Sequence, residues 1–471
     1  MVDVKSDEVR ALVGSTDFFD TRRRGQIDGA TIRRSPGSTL KPFLYGLAFD
    51  LGLAAPSTYL ADVPTSFATF SPENFDRRYR GPVAASEALA VSLIVPAVGL
   101  QRQVGTERFL TTLRRLGLRG FSGAKRYGLT LTLGGGEVSL LDLVNAYATL
   151  SRGGVYRSCR FFRPNGSAER EGSRVFSEAA AYLILEALAG EDHLRRATGR
   201  PSRTNEAKRG YKTGTSWNYR DAWCVAFTSE LVVGVWLGDF RGRPHPELIG
   251  LESAAPIALD LLDDLTDEST PDWRRPDGVI ERRVCDRSGY PASPLCPASH
   301  TADFTASATR LPECGVHRRV LVDRRLDCEV CAFCGRGNTQ EVEIVEAWPN
   351  EVMLWLGKRQ KIPPRRRHNP ACARMPSAGE ECPRIVSPAS GSEYRYLHGA
   401  PFQQDVYLVA AAGADAQRLH WFIDGGLHAT VEPSAKTPWA LRPGAHEIRC
   451  VDDRGRASRG VIRVGTEDGG R

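Results

Sequence analysis

Arg34-Ser35-Pro36-Gly37-Ser38-Thr39-Leu40-Lys41-Pro42-Phe43 runs from a turn into a helix. Ser35-Pro36-Gly37 carries turn chemistry. After it, Leu40, Phe43, Leu44, Leu47 and Ala48 repeat at helical spacing, and Pro42 is tolerable because it falls in the first turn. Ser38 and Lys41 stand at i and i+3 on one turn, within reach for the amine to take the hydroxyl proton. A free serine is a weak nucleophile, and its general base must be neutral when it acts. Burial or a neighbouring cation can deprotonate Lys, whereas Arg cannot be deprotonated. The choice of Lys is informative, because only eight of the 63 basic residues are Lys. Alone, a Ser-x-x-Lys pair is more often a solvated helix pair than a reactive one.

A second element stands far downstream. Lys212-Thr213-Gly214-Thr215-Ser216 offers a cation and hydroxyls for an anionic substrate end, and a glycine that lets another chain approach the backbone. Tyr211 to Ser216 reads as an exposed edge strand, able to pair with an extended peptide and to point one N–H at a tetrahedral oxyanion. Ala222 to Thr228 and Glu230 to Asp239 follow as an antiparallel hairpin. Between the two elements, Ser86 to Leu100 (broken at Pro96), Phe109 to Leu116 and Ala179 to Ala189 read as helices, and Glu8 to Val13 at the start reads as a strand. No Gly-x-Ser-x-Gly elbow is present, which disfavours a Ser-His-Asp hydrolase. Leu133 to Ser139 fails the dinucleotide pattern for want of a properly spaced glycine and a βαβ unit.

Ser-x-x-Lys with Lys-Thr-Gly belongs to the signature of penicillin-binding proteins and class A β-lactamases. Residues Arg34 to Phe43, Tyr211 to Ser216 with Arg220-Asp221-Ala222-Trp223, Asn74-Phe75-Asp76 and Leu133 to Val138 together resemble the bifunctional penicillin-binding proteins of the 1C type. The resemblance runs over roughly residues 5 to 265 and again over the C-terminus. It implies an α+β acyl-serine transpeptidase fold, an antiparallel sheet flanked by helices, followed by a Cys-rich linker and a C-terminal all-β Ig-like sandwich. By the same resemblance Ser38 is the nucleophile, Lys41 its base, Ser92 the proton relay, and Lys212 with Thr213 and Ser216 the carboxylate anchor. Gly214 leaves room for the substrate, and the backbone N–H groups of Ser38 and Thr215 form the oxyanion hole. The implied partners are peptidoglycan stem peptides, with β-lactams as inhibitors and a separate glycosyltransferase polypeptide as a candidate, at a periplasmic or cell-wall-facing location. No cofactor or metal is implied for the reaction.

Two features depart from that family. Within these 471 residues no glycosyltransferase domain or membrane anchor is read, and Met1 to Val13 does not read as an export signal. The middle motif should read Ser-x-Asn, yet Ile94 stands where Asn is expected after Ser92. An unpaired buried polar partner there would cost about 1–3 kcal/mol, slowing acylation without abolishing it. Ile94 motivates a rival reading, a degenerate fold that serves as a peptidoglycan-binding scaffold. A small β-lactamase-like hydrolase fits poorly with the long C-terminal extension.

At 471 residues, 41% hydrophobic and 25% charged, the chain has room for about three domains and carries no apolar run of membrane-spanning length. Its net charge of +7 comes from scattered Arg, and Arg22 to Arg24 and Arg365 to Arg367 lie in no nucleic-acid-binding module. The composition divides it into a transpeptidase domain at 1–265, a Cys/Pro/Arg-rich connection at 266–383 and a β-sandwich at 384–471. In the last, Asp405 to Ala411, Leu419 to Ile423, His446 to Val451 and Gly460 to Val464 read as evenly spaced strands. Eight of the eleven Cys fall between Cys285 and Cys382. Little periodicity surrounds them, which calls for staples: disulfides, if the protein is exported, or else zinc on Cys328, Cys331 and Cys334 with a fourth ligand from His368 or Cys372, with free thiols as the third alternative.

Overall fold

The computed structural model describes the chain except for residues 66, 68–69, 163–170, 191–192, 196–198, 200–206, 267–268, 332–333, 336–339, 359–365, 367, 370, 373–381, 397–403, 414–415, 434 and 467–471. Residues 365 and 367 of the second arginine run thus lie outside the described residues. The chain folds as two units, one built from residues 1–60, 83–291 and 298–313, the other from 61–82, 292–297 and 314–471.

In the first unit the helix Lys41–Asp50 is buried on nearly every face, as a helix apolar all round must be. Phe43, Leu44, Tyr45, Ala48 and Phe49 have no exposed surface. Each large side chain so buried contributes about 1.5–3 kcal/mol, which fixes this helix as the spine of the layer. Around it pack Ile94–Val104, Thr106–Arg115, Leu140–Ser151 and Glu178–Leu188. The last two open on serine caps: Ser139 accepts from the Asp142 N–H and Ser177 from the Ala180 N–H.

Against this layer lies an antiparallel sheet in the order Val2–Asp3, Leu231–Gly238, Asp221–Phe227, Gly210–Thr215. Its residues alternate between two cores. Trp223, Val225 and Phe227 face the helical layer, while Ala222, Cys224 and Ala226 pack on the helix Ala255–Leu265. Among the described residues Gly210–Thr215 pairs on one side only and forms an edge of the sheet, as its sequence suggests.

Two local expectations fail. Glu8 to Val13 is not a strand: the chain reverses at Asp7, whose φ is +62°, and only single bridges follow, Val9 to Val2 and Glu8 to Arg160. The helix break expected at Pro96 falls earlier, between Ala85–Ala90 and Ile94–Val104. Pro96 sits in the first turn of the second helix, where its missing N–H has no intrahelical role.

The second unit holds a three-stranded sheet, Cys328–Val330, His317–Asp323 and Gln340–Glu346, and a helix, Asn350–Lys358. Beyond these, a three-stranded sheet (Arg384–Ser387, Asp405–Ala411, Thr437–Ala440) and a five-stranded sheet (Glu393–Tyr396, Ala457–Thr466, Gly444–Asp452, Leu419–Ile423, Gly426–Val431) share one core. Leu408 and Trp439 come from the first sheet, Trp421, Ile448 and Ile462 from the second. Asn74, one of the family-like residues, braces its own loop by donating to Asp62 Oδ1 and to Arg78 O.

The cysteine segment also corrects its expectation. No disulfide joins any of the described cysteines, and the segment supplies strands and a helix of its own. Among the described residues no helix is long and apolar enough to cross a membrane.

Candidate active site

Ser38 lies in the 3-10 turn Gly37–Leu40 that leads directly into the buried helix. The turn is held from three sides. Tyr147 OH donates to Thr39 O at 2.7 Å, Trp223 Nε1 to Ser35 O at 2.8 Å, and Ser35 Oγ to Gly134 O at 2.8 Å. Tyr147 was invisible as a site residue in the sequence, and Trp223 entered only within the family-like run Arg220 to Trp223, because a buried aromatic in an apolar run carries no sign of what its polar tip reaches.

The turn abuts the free sheet edge. Gly37 has φ +55°, and a Cβ there would lie 2.5 Å from Thr215 O and 2.8 Å from Thr215 N. A Cβ on Gly214 would lie 2.2 Å from Pro36 O. Both glycines exist to let two backbones meet. The Ser216 N–H donates to Asp221 O, so by antiparallel alternation the N–H groups of Thr215 and Thr213 turn away from the neighbouring strand toward the open edge. Thr215 N–H and the Ser38 turn thereby face one space.

Lys41, one turn after Ser38, is wholly buried, and Lys212 is 1% exposed. Lys41 Nζ donates to Ser92 O at 2.6 Å and lies 3.4 Å from Ser92 Oγ. Lys212 Nζ lies 2.9 Å from the same Oγ and donates to Thr213 O at 2.9 Å. Burial, helped by the positive charge of Lys212, drives the Lys41 amine well below its ordinary value. Burial pushes Lys212 down to about 7. Two amines around one hydroxyl cannot both stay charged in a dry site.

Ser92 reaches that position at a conformational cost. It occupies the break between two helices with φ +61°, a left-handed conformation worth about 1–2 kcal/mol of strain for a residue with a Cβ. The hydrogen bonds from Lys41 and Lys212 offset that strain. Ile94, half-buried, is the first residue of the helix that follows. Lys41 finds its acceptors on Ser92 without an amide at position 94.

The remaining residues of the edge strand divide. Thr213 and Thr215 are half-exposed, and Thr215 Oγ1 accepts from the Gly250 N–H. Ser216 departs from the anchoring role expected of it: it is buried and its Oγ donates to Asp221 Oδ2 at 2.7 Å, while Asp221 Oδ1 accepts from Trp236 Nε1. Its proton serves the turn, not an incoming carboxylate. Trp217 is 92% exposed and packs no sheet.

A sheet edge closing on a Ser-x-x-Lys turn, with the Ser92 hydroxyl between two buried lysines, defines the α+β acyl-serine transpeptidase fold. Residues 1–230 match the penicillin binding protein transpeptidase domain and residues 373–464 the penicillin-binding protein C-terminus family. The chain belongs to the penicillin-binding proteins. It is 30% identical over 454 residues to penicillin-binding protein 1C of Escherichia coli, covering 90% of this chain and 56% of that one. It is 28% identical over 324 residues to penicillin-binding protein 2D of Bacillus subtilis, covering 64% and 46%. The chain therefore spans about half the length of these curated relatives. Among solved structures, penicillin-binding protein 1A of Haemophilus influenzae superposes with a TM-score of 0.52 at 22% identity, over 60% of this chain and 50% of that one, a likeness of fold.

Proposed function

We propose that the chain is a serine acyltransferase that cross-links D-alanyl-D-alanine stem peptides of peptidoglycan. One observation carries this reading: Ser92 Oγ stands between two buried amines, 3.4 Å from Lys41 and 2.9 Å from Lys212, next to the Ser38 turn. Ser38 Oγ attacks the penultimate D-alanine carbonyl while Lys41 takes its proton. The Ser38 and Thr215 N–H groups receive the oxyanion. As the C–N bond breaks, Ser92 passes a proton from Lys41 to the departing D-alanine amine. Lys212 and Thr213 hold the terminal carboxylate, and Gly214 keeps the strand close to the nucleophile turn. The amine of a neighbouring stem then attacks the ester, frees Ser38 and forms the cross-link; water in its place makes a carboxypeptidase. With a stem pentapeptide and an acceptor amine, the test is release of D-alanine with formation of the joined product. A folded chain that releases no D-alanine and joins no peptide overturns the reading.

The two amines set the pH profile. Acylation requires Lys41 neutral, so the rate rises with pH as Lys41 loses its proton. It also requires Lys212 charged, so in the free enzyme the rate falls as pH passes about 7. A bell-shaped second-order acylation rate, its alkaline limb near neutrality, is the expected result. A rate still climbing at pH 9 removes Lys212 as the charged anchor.

Ile94 favours a second reading, a peptide-binding scaffold. Ile94→Asn restores an amide able to bond both Lys41 and a substrate carbonyl, and is expected to speed acylation about tenfold to a hundredfold. Stopped-flow acylation by a chromogenic lactam measures it. An unchanged rate means that the break at Ser92 has already repacked around Ile94.

For the whole chain, we assign residues 1–265 to the transpeptidase domain, 266–383 to the connection and 384–471 to an Ig-like sandwich. The core shared by the two C-terminal sheets supports the last assignment. Family membership supports a periplasmic or cell-wall-facing site of action and, as partner, a glycosyltransferase polypeptide that supplies the glycan.

A further inference from the structure

The transpeptidase reading uses none of the cysteines, yet four side chains of the second unit converge away from any role in it. Cys331 and Cys334 follow the strand Cys328–Val330, and His368 and Cys372 come from a segment more than thirty residues later. A bridge between Glu329 and His368 brings the two together, and the Asn369 N–H donates to Glu329 O at 2.8 Å. Each pair sits on a braced turn: the Gly335 N–H donates to Cys331 O at 2.8 Å and the Cys372 N–H to Asn369 O at 3.0 Å.

The four ligand atoms all lie within 4.8 Å of one another. Cys331 Sγ is 3.7 Å from Cys334 Sγ and 3.8 Å from Cys372 Sγ, and Cys334 Sγ is 3.4 Å from His368 Nε2. A tetrahedral zinc ion, with Zn–S near 2.3 Å and Zn–N near 2.0–2.1 Å, gives S···S edges of about 3.8 Å and S···N edges of about 3.6 Å. The three separations given match those edges to within about 0.2 Å, and the others lie within 4.8 Å. Disulfide bonding would bring two sulfurs to about 2.05 Å and leave the others out. Here three sulfurs and one imidazole nitrogen stand together. In addition, the Cys331 N–H donates to Cys334 Sγ at 3.3 Å.

We propose that Cys331, Cys334, His368 and Cys372 bind one zinc ion as a closed, structural Cys3His site. Three soft thiolates and an imidazole select zinc over calcium or magnesium, and four protein ligands leave no open position for catalysis. Loading displaces three thiol protons to solvent and leaves a net charge of −1 on the centre. The ion ties the turn after Cys328–Val330 to the segment around His368, across sequence that apolar packing alone would leave weakly joined. It replaces the Cys328 ligand considered from sequence, and it takes both His368 and Cys372 instead of one of them.

The test uses the full chain, produced with zinc and purified without chelator. By elemental mass spectrometry, Cys331→Ser/Cys334→Ser is expected to carry one equivalent of zinc less than the wild type, while Cys328→Ser keeps the wild-type content. His368→Cys, which supplies a fourth thiolate, is expected to keep it too. A measurement on the wild type alone guards against variants that fail to fold: Cys331, Cys334 and Cys372 should resist alkylation until a strong zinc chelator is added, then react together. Equal zinc in the wild type and the double variant overturns the site, as does alkylation of these three residues indifferent to chelator. A Cys331–Cys334 disulfide mapped in the purified wild type also overturns it.

Discussion

Ser38→Ala is expected to abolish labelling by a fluorescent penicillin that labels the wild-type chain to one adduct. A lactam opened by the enzyme leaves its acyl group on a side-chain oxygen, and alanine offers none, so the loss should be complete rather than partial. Ser38 is half-buried at the mouth of the turn, and that turn is held by Tyr147, Trp223 and Ser35 through backbone atoms. Removing one hydroxyl should therefore shift stability by no more than about 0.5 kcal/mol. Labelled bands in a denaturing gel, the adduct mass of the intact chain and a thermal melt check the three parts. Label on Ser38→Ala at the wild-type level would place the nucleophile elsewhere; a wild type that takes none at high lactam concentration would favour the scaffold reading.

Lys41→Met is expected to slow acylation by about 10²–10⁴-fold, the range over which a positioned general base acts. Methionine fills much of the same buried volume and removes an amine that burial already disfavours as a cation. Ser92 O and Oγ lose a donor, but Lys212 Nζ stays 2.9 Å from the hydroxyl, so the break between the helices keeps one of its restraints. The pH profile distinguishes a base from a brace. The acid limb should vanish in Lys41→Met, because the group whose deprotonation produces it is gone, while the alkaline limb set by Lys212 remains. A fall of less than threefold, or an acid limb that persists unchanged, would remove Lys41 from the proton path.

Much of this site was legible because its chemistry is local. Ser38 and Lys41 are three residues apart, and a helix begins there whatever else the chain does. The Lys-Thr-Gly strand announces itself by composition and by the hairpin after it, and the C-terminal strands by even spacing and turn residues. The connection was read poorly for a physical reason. Its strands show weak alternation because ion pairs between the strand Gln340–Glu346 and residues outside the strands share the work: Arg324 meets Glu341 and Glu343, and Arg366 meets Glu343 and, in the turn, Asp327. Val342 and Ile344 remain exposed, so the period-2 signal does not mark a core face.

By itself the sequence determined which residue types were available: a serine with a lysine one turn away, a second lysine on an edge strand, an isoleucine where an amide was expected and a Cys-x-x-Cys pair. Tertiary structure alone decided what those residues share. That both lysines reach the hydroxyl of Ser92, that Gly37 lies against Thr215, and that His368 and Cys372 join Cys331 and Cys334 are facts of long-range packing. Local propensity is set by neighbours a few residues apart. A shared proton or a tetrahedral ligand set depends on distances held to within an ångström between residues that the fold brings together from 34 to 171 positions apart.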